Sequence, residues 1–141
     1  EKYDYKKNWM DQLIKQLKTL LKKNSNIILA IDFNIIPSAE DDYNVKSFED
    51  DALYRLEIRK KFREMINLGF NDVYRHFHEN KEGYTFWDYM RGAWQTNNGM
   101  RIDHFLVSNS IIDQIKDINI NKDPRGREKP SDHTPVEINL A

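Results

Sequence analysis

Trp9, Leu13, Ile14, Leu17, Leu20 and Leu21 recur at the helical period with Lys and Gln between them. This spacing predicts an amphipathic helix over about Tyr5 to Lys22, ended by the turn-forming run Asn24-Ser25-Asn26. The unbroken apolar run Ile27 to Ile31 then predicts a buried strand. A second helix is expected over Leu56 to Asn67, with Ile58, Phe62, Met65 and Ile66 facing inward and Gly69 as its stop. Val73 to His78 and Ile111 to Ile115 read as helical turns. Tyr84 to Trp87 is a short β-prone run, and Arg101 to Val107, Ile118 to Ile120 and Pro135 to Leu140 read as strands. Residues 32–54 form a long acidic irregular segment containing Pro37 and Asp41-Asp42, and loops of that length are usually functional or mobile. A polar loop, Met90 to Gly99, and a basic loop, Asn121 to Pro130, complete the chain. With no internal repeat or linker, the pattern predicts one α/β domain, a mixed sheet with helices on one face.

Composition changes this picture in three ways. At 141 residues, with 39% hydrophobic and 12% aromatic residues, the chain can bury a core and is not a disordered segment. A net charge of −1 within a charged fraction of 32% gives no global field, so an anionic partner must be held by a local basic patch. The absence of cysteine excludes disulfides, thiolate zinc sites and Cys nucleophiles, and leans toward a reducing, cytoplasmic compartment. No stretch reads as a secretory signal or membrane span, and no membrane partner is expected. Because the chain opens on Glu1 in place of Met, something upstream is expected to have been removed.

The candidate chemistry lies in three polar clusters at strand ends: Asp32-Phe33-Asn34, Arg101-Ile102-Asp103-His104 and Ser131-Asp132-His133. Asp32 and Asn34 alternate on an extended backbone and so share a side. There a carboxylate could take a proton from water and an amide could hold a phosphate oxygen; the plain alternative is an Asx-turn ending the strand. Asp132 could ligate a hard cation while His133 serves a phosphoryl oxygen; the plain alternative is a turn-capping Asp beside a surface His. Asp103, an acid in an apolar strand, needs a partner, and the imidazole of His133 is the natural one. Ser131 lacks the elbow a serine nucleophile needs. His76, His78 and His104 read as structural or surface residues.

Phe86, Trp87, Trp94, Met100 and Ile102 flank these groups and could wedge into a duplex or receive an extrahelical sugar, although such residues are more often core. Arg125, Arg127 and Lys129, with Lys122, make the dense basic loop and suit phosphate contacts. Phosphodiester hydrolysis is the reading these clusters share. A phosphomonoesterase or phosphoinositide-type phosphatase, and a non-catalytic DNA-binding module, are the rivals.

Ile31-Asp32-Phe33-Asn34, Tyr84-Thr85-Phe86-Trp87-Asp88-Tyr89, Gly99-Met100-Arg101-Ile102-Asp103 and the run from Arg125 to His133 resemble the exodeoxyribonuclease III group of endonuclease/exonuclease/phosphatase proteins. The resemblance runs along nearly the whole chain, and it implies the C-terminal part of a four-layer αββα sandwich, the N-terminal half being absent. It also implies that Asp32 orients or deprotonates the attacking water with help from Asn34. His133, oriented by Asp103, would bind the scissile phosphate, and Asp132 with Asp32 would hold Mg²⁺ or Mn²⁺. Phe86, Trp87, Met100 and Ile102 would line a pocket for an abasic deoxyribose, and Arg125, Arg127 and Lys129 would touch DNA. The implied partner is double-stranded DNA with abasic sites or 3′ ends. Two departures stand out. Ile31 replaces the family's usual Gly and is expected to crowd the backbone behind Asp32. No segment matches the motifs carrying the family's upstream Asn, metal-ligating Glu and Tyr, so the chain alone is expected to be inactive and to need a complementing half.

Overall fold

The computed structural model describes residues 2–44 and 53–141. Residues 45–52, the middle of the expected acidic segment, lie outside the described residues. The predicted elements form in the predicted order. Helix α1 spans Lys2–Lys23, strand β1 Ile28–Asp32, helix α2 Leu56–Asn67 and strand β2 Phe70–Asp72. Helix α3 covers Val73–Phe77, and strands β3, β4 and β5 cover Asp103–Ser108, Ile115–Ile120 and Val136–Leu140. Gly69 takes φ +126° after α2, a backbone that favours glycine, and its N–H donates to Ile66 O at 3.0 Å. Strand β2 was not foreseen: Phe-Asn-Asp has neither the length nor the β-branched residues of a strand signal, and its pairing to β3 alone makes it one.

Strand β3 is the centre of the molecule. It pairs antiparallel with β1 on one side and β2 on the other, while β4 and β5 form a separate antiparallel pair. Among the described residues every ladder is antiparallel, so the α/β character comes from helices laid on antiparallel sheets. Alternation along β3 sorts its side chains. Leu106 points to the helix side and packs with Met10, Ile14 and Leu17 of α1 and Ile58, Phe62 and Met65 of α2. Phe105 and Val107 point the other way, into a second core with Ile115, Ile118, Val136 and Ile138 of the β4–β5 pair. The layers are thus helix pair, three-stranded sheet and two-stranded sheet.

Two expectations about β1 need correction. It is not a fully buried strand: it sits at the sheet edge, paired only with β3 among the described residues, and Ile28 is 43% exposed. Ile31 does not crowd the backbone behind Asp32, because it points to the helix side and packs against the main core. The β-prone run Tyr84 to Trp87 is likewise not a full strand. Phe86 makes single bridges to Met100 and His133 instead.

Just before β3, Arg101 is buried at 1% exposure. Its guanidinium donates to Asp41 Oδ1 at 2.6 Å, to Asp72 Oδ2 at 2.7 Å and to Asp72 Oδ1 at 3.0 Å. Arg75 closes a second ion pair on Asp41. Burial would raise the Asp72 carboxyl, yet the charge and hydrogen bonds of Arg101 outweigh it and hold its pKa below the ordinary range. His104 accepts from Arg101 Nη1 through Nδ1 at 3.1 Å and donates from Nε2 to Ile35 O at 2.9 Å. Burial, then the Arg101 charge, lowers its pKa to about 4, so His104 is a neutral structural residue. Removing one member of such a network leaves the others buried and unpaired. Arg101→Met is expected to lower the unfolding free energy by about 3–5 kcal/mol, read from the urea midpoint at constant slope.

Candidate active site

Three segments bring the site together. The β1–β3 register sets Asp32 directly opposite Asp103, on the face away from the helices. His133 arrives from the connection into β5. That connection is docked by the Phe86–His133 bridge and by backbone bonds from Trp87 N to Asp132 O (2.9 Å) and Thr134 N to Thr85 O (2.8 Å). Thr85, buried at 1% exposure, also accepts from the backbone N–H groups of Ile102 (3.2 Å) and Asp103 (3.3 Å) through its hydroxyl. It therefore joins the strand that carries Asp103 to the segment that carries His133. Nothing in the sequence marks Thr85 for this, since the role depends on which strands lie beside it.

His133 Nδ1 donates to Asp103 Oδ2 at 2.9 Å, and His133 Nε2 faces Asp32 Oδ2 at 3.6 Å. The carboxylates of Asp32 and Asp103 and the imidazole offer donor atoms that all lie within 4.8 Å of one another. A recess of about 220 Å³ opens beside them, lined by Ala30, Ile31, Asp32, Asp103, His104, Phe105, Thr134 and Val136. Asn34 is exposed at a left-handed φ of 50°, and its backbone N–H donates to Asp32 Oδ1 at 2.9 Å. The Asx-turn is therefore real, and its effect is to aim the Asp32 carboxylate.

Electrostatics tunes both ends of this array. Partial burial, then the facing Asp103 charge, pushes the Asp32 pKa up, against the Asn34 N–H, His133 and Lys6. Burial disfavours the charged His133 ring, but the Asp103 hydrogen bond and charge, with Asp32 and Asp132, outweigh it and raise its pKa above the ordinary 6.5.

Other expected site residues fall elsewhere. Asp132 is half-buried and adds charge near His133, but its carboxylate is outside the three-residue donor group of Asp32, Asp103 and His133. Trp87 is fully enclosed, its indole N–H on Asn97 Oδ1 at 3.0 Å, so it is core and does not line an open pocket. Met100 and Ile102 are also buried, packing with Ile36, while Phe86 keeps a partly open face against the His133 ring. Arg125 is buried at 6% exposure and donates to Trp87 O and Asp88 O, so it braces the loop from within. Arg127 and Lys129 are exposed. Tyr89 and Met90, at 60% and 67% exposure, were not foreseen; Tyr89 donates to Pro130 O at 2.8 Å, which sets this apolar tip beside the basic loop.

The molecule is thus a layered α/β fold with opposed carboxylates and a carboxylate-held imidazole at one end of its sheet. The chain belongs to the Endonuclease/Exonuclease/phosphatase family, which it matches over residues 1–133. It is 36% identical over 139 residues to an exodeoxyribonuclease of Bacillus subtilis (strain 168), across 98% of this chain and 53% of that protein. Its fold is similar to that of a 3′ phosphatase from Neisseria bound to product DNA hairpin, with TM-score 0.96 and 30% identity over 100% of this chain and 55% of that one. It is also similar to an AP endonuclease from Archaeoglobus fulgidus, with TM-score 0.93 and 30% identity over 99% and 55% of the two chains. The chain thus spans about half the length of these relatives.

The raised pKa values fix the sign of two pH effects. A raised folded-state His pKa contributes stability that is complete below the ordinary value of 6.5 and is lost as pH rises through the folded value. A raised Asp pKa means that ionising Asp32 weakens the fold. His133→Gln is expected to flatten the decline in stability above the ordinary histidine range. Asp32→Asn is expected to be more stable than the wild type near neutral pH, the gain vanishing below about pH 3. Urea titrations across that range check both, and NMR titration of His133 should show a lower pKa in Asp32→Asn.

Proposed function

We propose that this chain carries one part of the active site of a metal-dependent phosphodiesterase of exodeoxyribonuclease III type, acting on double-stranded DNA at abasic sites and 3′ ends. The observation that carries the reading is the Asp32–His133–Asp103 array beside its recess. In this reading Asp103 holds the His133 ring by Nδ1, leaving Nε2 to meet a phosphate oxygen as a cation. The raised Asp32 carboxyl is suited to orient a water and take its proton. The exposed amide of Asn34 lies two residues on, within the same turn, where it can hold a phosphoryl oxygen.

The donor set supports a hard divalent cation. Two carboxylates opposed across one rung repel each other, and oxygen donors of this kind suit Mg²⁺ or Mn²⁺. Asp32 and Asp103 would hold the ion, which when bound supplies charge for the phosphoryl oxygens. Arg127 and Lys129 would bind DNA phosphates, with Phe86 at the site and Met90 and Tyr89 as apolar contacts to the duplex.

We further propose that a second segment completes the site, the chain being the C-terminal part of the sandwich. The span of about half its relatives and the exposed Ile28 on β1 support this. The isolated chain is then expected to show no Mg²⁺-dependent incision of an abasic duplex. Co-folding with the upstream half of the Bacillus subtilis exodeoxyribonuclease is expected to restore it, and Asp32→Asn or His133→Asn to reduce the restored rate by about 10²–10⁴-fold. Robust turnover by the chain alone would refute the need for a second half; a folded complex without incision would refute the nuclease reading.

A phosphomonoesterase is the second reading, favoured by the likeness to a 3′ phosphatase. Rates on a 3′-phosphate end and on an abasic site in the same duplex separate the two. Binding without either rate would leave a DNA-binding module. Each lost phosphate contact, as in Arg127→Gln, is expected to reduce the log–log salt slope by about 0.9.

A further inference from the structure

On the helix side of the molecule a cavity of about 620 Å³ lies between α2, the turn 37–41 and the corner from β2 into α3. It shares no lining residue with the recess beside Asp32. The volume lies within the range of small-molecule sites.

Its charges do not cancel. Arg59, Lys60 and Arg63 line it from α2 and Arg75 from α3, against Glu40, Asp41 and Asp72. Asp41 and Asp72 are already engaged by Arg101, and Asp41 by Arg75 as well. Glu40 is exposed and lies 3.7 Å from Arg75. Arg59 spends its Nε–H on Tyr54 O at 2.8 Å and stacks on the Tyr54 ring at 4.0 Å, with no ion pair to a carboxylate among the described residues. Lys60 and Arg63 are exposed, with no hydrogen-bond or ion-pair partner among the described residues. Arg59, Lys60 and Arg63 therefore set three cations along one wall of this space, with Glu57 of the same helix acting on Lys60. Beneath them lies an apolar surface of Leu56, Phe62, Ile66 and Pro37.

We propose that this cavity is a second ligand site, for a phosphomonoester dianion carried on a flat apolar body, the class of a nucleoside monophosphate. Lys60 and Arg63, one turn apart on α2, would hold the phosphate, Arg through its paired N–H groups. Leu56, Phe62 and Ile66 would take the base. The inference rests on the lining alone and stands whether or not the chain hydrolyses DNA. Its reach toward the first site is short. Asp41 and Asp72, which border the cavity, are the same carboxylates that clamp Arg101 two residues before Asp103.

The test is amide-resolved NMR of the chain titrated with deoxyadenosine 5′-monophosphate, beside separate titrations with deoxyadenosine and with inorganic phosphate. Shifts are expected along 56–67 and 71–76, saturable with the nucleotide and weaker with either half of it. The exposed double variant Lys60→Glu/Arg63→Glu is expected to weaken binding by about tenfold or more, and Glu40→Gln to tighten it. Lys60→Gln/Arg63→Gln, with unchanged thermal unfolding, serves if charge reversal harms folding. Shifts confined to Asp32, Asp103 and His133 would overturn the proposal, as would binding undiminished in the double variants. Equal binding of nucleotide and inorganic phosphate would overturn the role of the apolar wall.

Discussion

The buried guanidinium of Arg101 is the constraint on which the remaining structure depends. It gathers Asp41 from the turn after β1, Asp72 from the end of β2 and the neutral ring of His104 from β3. Each of these groups would be expensive to bury alone, and each becomes acceptable because the others are present. The network fixes the entry of the central strand, and Asp103 follows two residues later. A purely apolar centre could have held the layers together. It would not have tied three distant polar side chains to the position of the Asp103 carboxylate.

The site itself works in the opposite sense. Two acids face each other across one rung, and like charges placed so are unfavourable for folding. The His133 ring stands between them and, with the Asn34 N–H and Lys6, partly offsets the repulsion. Stability is built at Arg101 and given up at Asp32, within one strand pair. The fold tolerates this partly offset negative charge because the Arg101 cluster is so tightly closed.

Much of this was legible in the sequence, and the reasons differ between residues. The helical periods of α1 and α2 and the order of the strands could be read because apolar spacing is a local signal. The pairing of Asp103 with His133 could be inferred because an acid in an apolar strand demands a partner. The exposure of Met90 and the burial of Trp87 and Arg125 could not: side chains three to five residues apart in irregular segments carry no period that separates outside from inside. The closeness of Asp103 to Asp32 was not read, because adjacency in sequence is visible and the rung opposite Asp32 is not. Thr85 and β2 were invisible for the same reason, since both are made by neighbours distant along the chain.

The alternation along β3 has a consequence for which changes this protein can absorb. Odd positions Asp103, Phe105 and Val107 face the second sheet, and even positions His104 and Leu106 face the helices. Inserting or deleting one residue ahead of Asp103 would swap these sets. A deletion would bring the imidazole of His104 to the position of the Asp103 carboxylate, and an insertion would drive the acid between the rings of Phe33 and Phe62, which now enclose His104. Drift by substitution is open to this strand; drift in length is not.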